Sequence, residues 1–151
     1  QQYEVKKHLE QEISNIEHVT FKSLDITNEE INIDVSLSNI KELRNSYQQI
    51  YGIAEKYNGR DKPINIHIND TRSEKLTTIW ERANFVVSES IATHAYSAIP
   101  RYFDGIYAEH LLTKSNVMMD EKFVYIHLTD GKSELYHIVP RYLVQEVNKD
   151  E

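Results

Sequence analysis

Apolar residues recur along this chain with two periods, and the switches between them mark its elements. Val5, Leu9, Ile13 and Ile16 stand at helical spacing among Lys, Glu and Gln, which predicts an amphipathic helix from about Gln2 to Glu17. From His18 to Ile26 the pattern turns β-like. Beyond Thr27-Asn28-Glu29 the alternation is strict, with Ile31, Ile33, Val35 and Leu37 on one face and Asn32, Asp34 and Ser36 on the other. These two runs predict a hairpin with one wet face.

A second helix is expected after Ser38 and Asn39, with Glu42 three residues beyond Asn39 as in a capping box. Ile40, Leu43, Tyr47, Ile50, Tyr51, Ala54 and Tyr57 keep its period until Asn58-Gly59 supplies a stop. Ile64, Ile66 and Ile68 then alternate with Asn65, His67 and Asn69 in a third strand. Thr71 and Glu74 read as a second capping box, opening a long helix through about Ser97 that ends before Pro100. The stripe of Leu76, Ile79, Trp80, Ala83, Val86, Val87, Ile91 and Ala95 places Trp80 in the core. From Phe103 to Thr113 we expect a strand, although Ala108, Glu109 and Leu111-Leu112 would also suit a helix. Phe123 to Leu128 reads as a strand apolar on both faces. Thr129-Asp130-Gly131-Lys132 is a turn needing positive φ at Gly131, and Leu135 to Val139 is the partner strand. The tail from Arg141 to Glu151 is expected to add a helical turn or two.

The fold class is therefore α+β. Residues 1–70 form a helix-strand-strand-helix-strand unit, and residues 71–151 a long helix followed by a mainly antiparallel three-stranded segment, packed with the first half as one compact domain. A right-handed crossover through the second helix would set the third strand parallel to the second, with the first between them. The later strands could extend that sheet or form their own.

One phrase occurs twice. Lys62-Pro63-Ile64-Asn65-Ile66-His67-Ile68-Asn69-Asp70-Thr71-Arg72-Ser73-Glu74 is echoed by Lys122-Phe123-Val124-Tyr125-Ile126-His127-Leu128-Thr129-Asp130-Gly131-Lys132-Ser133-Glu134. Lys, Ile, His, Asp, Ser and Glu recur in register, which implies partial duplication or two strands with the same structural job. The copies part where Thr71 opens a helix and Gly131 makes a turn.

Composition narrows the functional classes. The net charge of −7, with Lys and Arg scattered singly, argues against nucleic-acid binding. Absence of cysteine removes disulfides, thiolate metal sites and cysteine nucleophiles. Its four isolated glycines build neither a P-loop nor a dinucleotide fingerprint. No apolar run approaches the roughly 20 residues that span a bilayer. The chain opens on Gln1-Gln2-Tyr3-Glu4 without Met, compatible with a trimmed leader or anchor and equally with an expression boundary. Our expectation is an extracytoplasmic product, membrane-anchored at full length through a missing N-terminal segment.

The α-β-β-α-β order carried by Val5 to Ile16, Val19 to Leu37, Ile40 to Tyr57 and Ile64 to Ile68 resembles ring-building motifs and BON-like modules of extracytoplasmic bacterial proteins. The Ile, Asn, Lys, Glu and Tyr bias looks like a membrane-anchored ectodomain of the Bacillus type. The resemblance implies interaction with another protein or an envelope component, without a cofactor, and leaves oligomerisation open.

Chemistry-bearing residues are few in pattern. His67 and His127 hold the same place in the repeated phrase, and His137 lies across a tight hairpin from the region of His127. If their strands were neighbours, imidazoles could converge near Asp34 to hold a ligand or metal, giving a ligand-responsive module or a cryptic hydrolase. Separation by more than about 10 Å would end that reading, because each ligating nitrogen sits about 2 Å from the ion. The alternative is a pair of polar-face residues satisfied by solvent. Ser88, Ser90 and Ser97 lack a nucleophile elbow, and no catalytic residue is assigned. Tyrosine crowds the second half, and Tyr96 to Tyr102 is echoed by Tyr136 to Tyr142, each copy containing Pro-Arg-Tyr. Tyr and Arg dominate binding hot spots, so Arg101, Tyr102, Tyr107, Tyr136 and Arg141 are the candidate interaction residues. The expected function is a non-enzymatic interaction, sensing or scaffolding domain.

Overall fold

The computed structural model describes residues 2–59 and 61–142 and is α+β, with four helices and two three-stranded sheets among them. The expected helical turns at residues 143–151 lie outside the described residues. The chain divides into two compact units, Gln1–Thr71 and Arg72–Glu151.

In the first unit α1 (Gln2–Ser14), β1 (Val19–Ile26), β2 (Ile31–Leu37), α2 (Leu43–Tyr57) and β3 (Ile64–Ile68) follow the expected order. Strand order is β1-β2-β3, β1 antiparallel and β3 parallel to β2. The parallel pairing matches expectation, but β2 is central where β1 was expected. Burial explains it: β2 turns Ile31, Ile33 and Val35 fully inward, whereas β1 exposes Lys22, Ser23 and Asp25 and shifts register between Phe21 and Ser23. A polar, bulged strand suits an edge, since it discourages further pairing. Leu9 and Ile13 of α1 and Leu43, Ile50 and Ala54 of α2 are buried core residues of the same unit. Asn39 caps a short 3₁₀ turn by accepting from the Lys41 N–H, so α2 itself begins later, at Leu43.

A three-residue cluster joins the helices. Lys56 Nζ and the Tyr57 hydroxyl of α2 both donate to the Glu12 carboxylate of α1. The Lys56 bond, then the Tyr57 bond, hold the Glu12 pKa below its ordinary value, and Glu12 raises that of Lys56. A lowered carboxyl pKa contributes stability that is present above the unfolded value and lost as pH falls through the folded one. A raised lysine pKa contributes stability that is lost as pH rises through its folded value. Glu12→Gln should therefore flatten both the acid and the alkaline limbs of stability against pH, read by urea melts across the range. Unchanged limbs would show the cluster to be energetically silent.

In the second unit α3 (Glu74–Ala92) and α4 (Ala98–Ala108) precede β4 (Lys114–Met119), β5 (Phe123–Thr129) and β6 (Glu134–Pro140). The strands form their own antiparallel sheet with β5 in the middle. Ser73, and not Thr71, is the N-cap of α3, its hydroxyl accepting from the Leu76 N–H. Trp80 lies in the core as expected, with Leu76, Ala83, Val87, Ile99, Phe103, Val124, Ile126 and Leu128.

Two further expectations fail here. The long helix stops at Ala92, five residues early, and the segment expected as a strand from Phe103 begins within a helix. The stop is a Schellman motif: Ala95 N–H reaches Ser90 O at 2.7 Å, His94 N–H reaches Ile91 O at 3.2 Å, and His94 takes φ 58°. The same motif ends α4, with His110 at φ 61°. Pro100 falls in the first turn of α4, where its missing N–H would have no intrahelical partner anyway. Ile99, Tyr102, Phe103 and Ile106 then face the core at helical spacing. At the β5–β6 turn Gly131 has φ 90°, as its sequence required, and the Asp130 carboxylate accepts from the Lys132 and Ser133 N–H groups.

Candidate functional site

The repeated histidines have opposite surroundings. His67, on edge strand β3, is exposed and sits with Nδ1 3.0 Å from Asp34 Oδ1 on the polar face of its sheet. Ser23 Oγ donates to the other oxygen of Asp34 at 2.8 Å. Asp34 therefore stands between serine and histidine, and Ser23 is hydrogen-bonded to the acid in place of the base. A nucleophile needs the base as its own partner, so the trio is not a catalytic triad. Glu30, Asn32 and Asn65 extend this network along the same face.

His127, on central strand β5, is 2% exposed. Nε2 lies 2.9 Å from Glu134 Oε1, and Nδ1 lies 3.1 Å from the Asn116 side-chain nitrogen. A carboxylate can only accept and an amide NH₂ only donate, so with the Asn116 amide in this orientation the contacts match a ring that donates from Nε2 and accepts at Nδ1. His137 does not join it. His127 pairs across the strands with Tyr136, while His137 pairs with Ile126, and the pleat sends neighbouring residues to opposite faces. His137 instead packs its ring on Trp80, with centroids 4.0 Å apart. His67 belongs to the first unit and the other two to the second. Among the described residues no group of three or more His, Asp or Glu could hold a metal ion.

The five tyrosine and arginine candidates separate in the same way. Tyr136 is buried with its ring 4.9 Å from His127, and Tyr102 is half-buried edge-on to Phe103. Arg101 and Tyr107 are exposed on α4. Arg141 enters a concavity.

That concavity is a groove of about 670 Å³ between the C-terminal end of α3 and the end of β6. Ile91, Ala92, Val139 and Pro140 make its apolar wall, and His94, Arg141 and Tyr142 its polar rim. The volume falls within the usual range for ligand sites, about 300–1,000 Å³. A larger hollow along α1 is lined, among the described residues, by that helix and Asn15 alone, so it has no opposing wall there.

Local structure fixes each group. Pairing of β5 with β6 continues one step, Arg141 N–H reaching Lys122 O at 2.8 Å, which sets the Arg141 backbone. Its Nη1 donates to Asp120 O at 2.6 Å. The Asp120 carboxylate is engaged elsewhere, accepting from the Lys122 and Phe123 N–H groups and the Tyr125 hydroxyl. The guanidinium carbon lies 4.4 Å from the Tyr96 ring centroid and 5.5 Å from that of Tyr142, both within cation–π range. A hydrogen bond with Tyr96 raises the Arg141 pKa further, so the charge is permanent. Arg141 Nε is buried with no acceptor in reach among the described residues. His94 completes the rim, its ring 6.0 Å from Tyr96 and 6.5 Å from Tyr142. It holds that place because it occupies the left-handed position of the α3 stop, a conformation uncommon outside glycine.

The sequence reading passed over His94. Its signal was negative: no Gly, Asn or Pro stands between Ser90 and Ser97 to end a helix, and a residue there had to substitute for one. Comparison with known proteins adds no relative: no family model, no curated protein and no solved structure matches the chain. No helix among the described residues is long and apolar enough to cross a membrane.

Proposed function

We propose that the chain is a non-enzymatic sensing domain of an extracytoplasmic, membrane-anchored bacterial protein, and that it takes its target in the Arg141 groove. The observation carrying this reading is the groove itself, an apolar wall with one permanently charged guanidinium held by Tyr96 and by Asp120 O. Preformed concavity with few fixed polar groups is the usual architecture of a binding site. The polar face around Asp34 and His67 carries its hydrogen bonds internally. Likeness of element order to ring-building and BON-like modules supports the envelope setting, and the ligand is an envelope component on this reading.

An amide-detected NMR fragment screen on the whole chain tests it. Shift changes should concentrate at Ile91, Ala92, His94, Val139 and Tyr142. Hits scattered over the surface, or clustered along the Asp34 face, would remove the groove from consideration.

A further inference from the structure

We propose that the groove selects a small monocarboxylate with an apolar body, the carboxylate meeting Arg141 and the body lying along Ile91, Val139 and Pro140. The inference rests on the groove being the binding site and adds the class of its ligand. Three features of the lining carry it.

The first is charge. The chain is acidic overall, yet among the described residues the groove's lining of Ser88, Ile91, Ala92, His94, Val139, Pro140, Arg141 and Tyr142 contains no carboxylate. The second is valence. Among the described residues Arg141 is its one permanent cation, and no helix N-terminus contributes a row of N–H groups, since α3 offers its C-terminal end. A phosphate dianion is normally met by several such donors, whereas one planar guanidinium fork matches one carboxylate. The third is preorganisation. Tyr96 and Tyr142 bracket the guanidinium and Asp120 O fixes one of its nitrogens, so little rotamer freedom is left to lose on binding. The Arg141 Nε–H is buried and has no acceptor among the described residues.

A free small molecule fits better than a chain terminus because the wall is short. It comprises one helical turn of α3 and two residues of β6, and although β6 is an edge strand, Pro140 has no N–H to give the ladder that an extended peptide would use.

Octanoate is the probe, titrated by calorimetry and NMR against octylammonium, octanamide, octyl phosphate and an N-acetyl tripeptide acid. Octanoate should bind at least roughly tenfold more tightly than octylammonium or octanamide, as a charge-assisted contact requires. Arg141→Met should remove that preference. Because Arg141 also ties β6 to the turn at Asp120, a second pair of variants leaves it intact. Exposed Ser88→Glu should weaken octanoate binding and Ser88→Lys should strengthen it.

Equal affinity for octanoate and octanamide would overturn the carboxylate assignment while the groove stood as a site. Tighter binding of octyl phosphate or of the tripeptide acid would overturn the ligand class. Binding seen only after deletion of residues 143–151 would make the chain's own end the occupant and overturn the proposal. Failure of every probe and every fragment to perturb the groove would overturn the proposed function with it.

Discussion

Phe103→Ala should lower the unfolding free energy by about 3–5 kcal/mol, the largest effect of any single truncation in the second unit. Phe103 is fully buried at the centre of the cluster that joins α3 and α4 to β5, among Trp80, Val87, Val124 and Ile126. Removing its ring forfeits the transfer free energy of the lost carbons and leaves a cavity that two helices and a sheet cannot close together. Ile99 is the only other fully buried side chain of α4, so the helix has little left to hold it to the sheet. Tyr107→Ala on the exposed side of the same helix is the control and should stay within about 0.5 kcal/mol. Urea melts of the two variants, compared by midpoint at constant slope, read the difference. Similar losses in both would mean that α4 is held by something other than this core. The groove depends on the outcome, since α4 follows directly from the corner that positions His94 and Tyr96.

That corner also shows what the sequence could and could not convey. Strict alternation at Ile31, Ile33 and Val35, the helical stripe from Leu43 to Ala54 and the Asp130-Gly131 turn are local signals, and the structure follows each. The errors cluster where a helix ends without its usual punctuation. His94 and His110 fill left-handed positions that glycine normally occupies, and His18 does the same between α1 and β1. Histidine carries no stop signal of its own, so the sequence reading ran the long helix on to about Ser97, and none of these three histidines was weighed as a ligand. Once the stop at His94 is missed, the aromatic run of α4 reads as β, because Tyr, Phe and Ile favour strands until tertiary packing decides. Arg141 was singled out for a sound reason, the pairing of arginine with tyrosine. Its concave setting arises from residues distant in sequence, Ile91 and His94 against Val139, and no local pattern encodes that proximity.

The repeated phrase supplies the second large effect. His127→Ala should cost about 2–4 kcal/mol, whereas His67→Ala should stay within about 0.5 kcal/mol. The two histidines have the same neighbours in sequence, Ile before and an aliphatic residue after, and differ only in where their strands lie. His67 stands on an edge with its partner Asp34 also exposed, so water replaces the lost contact almost in full. His127 sits on the central strand, its ring packed against Tyr136 and both nitrogens matched, so its removal opens a cavity and strips partners from Asn116 and Glu134. His127→Leu separates the two contributions: it fills the space but makes no hydrogen bond, and should fall between alanine and wild type. The tautomer is open to direct measurement, because an Nε2–H donated to Glu134 with Nδ1 unprotonated gives a distinct pair of ring ¹⁵N shifts. Two protonated ring nitrogens would mean that the Asn116 amide is turned to present its oxygen. The histidine would then be a buried cation paired with Glu134, and His127→Leu would remove a charge as well as two hydrogen bonds.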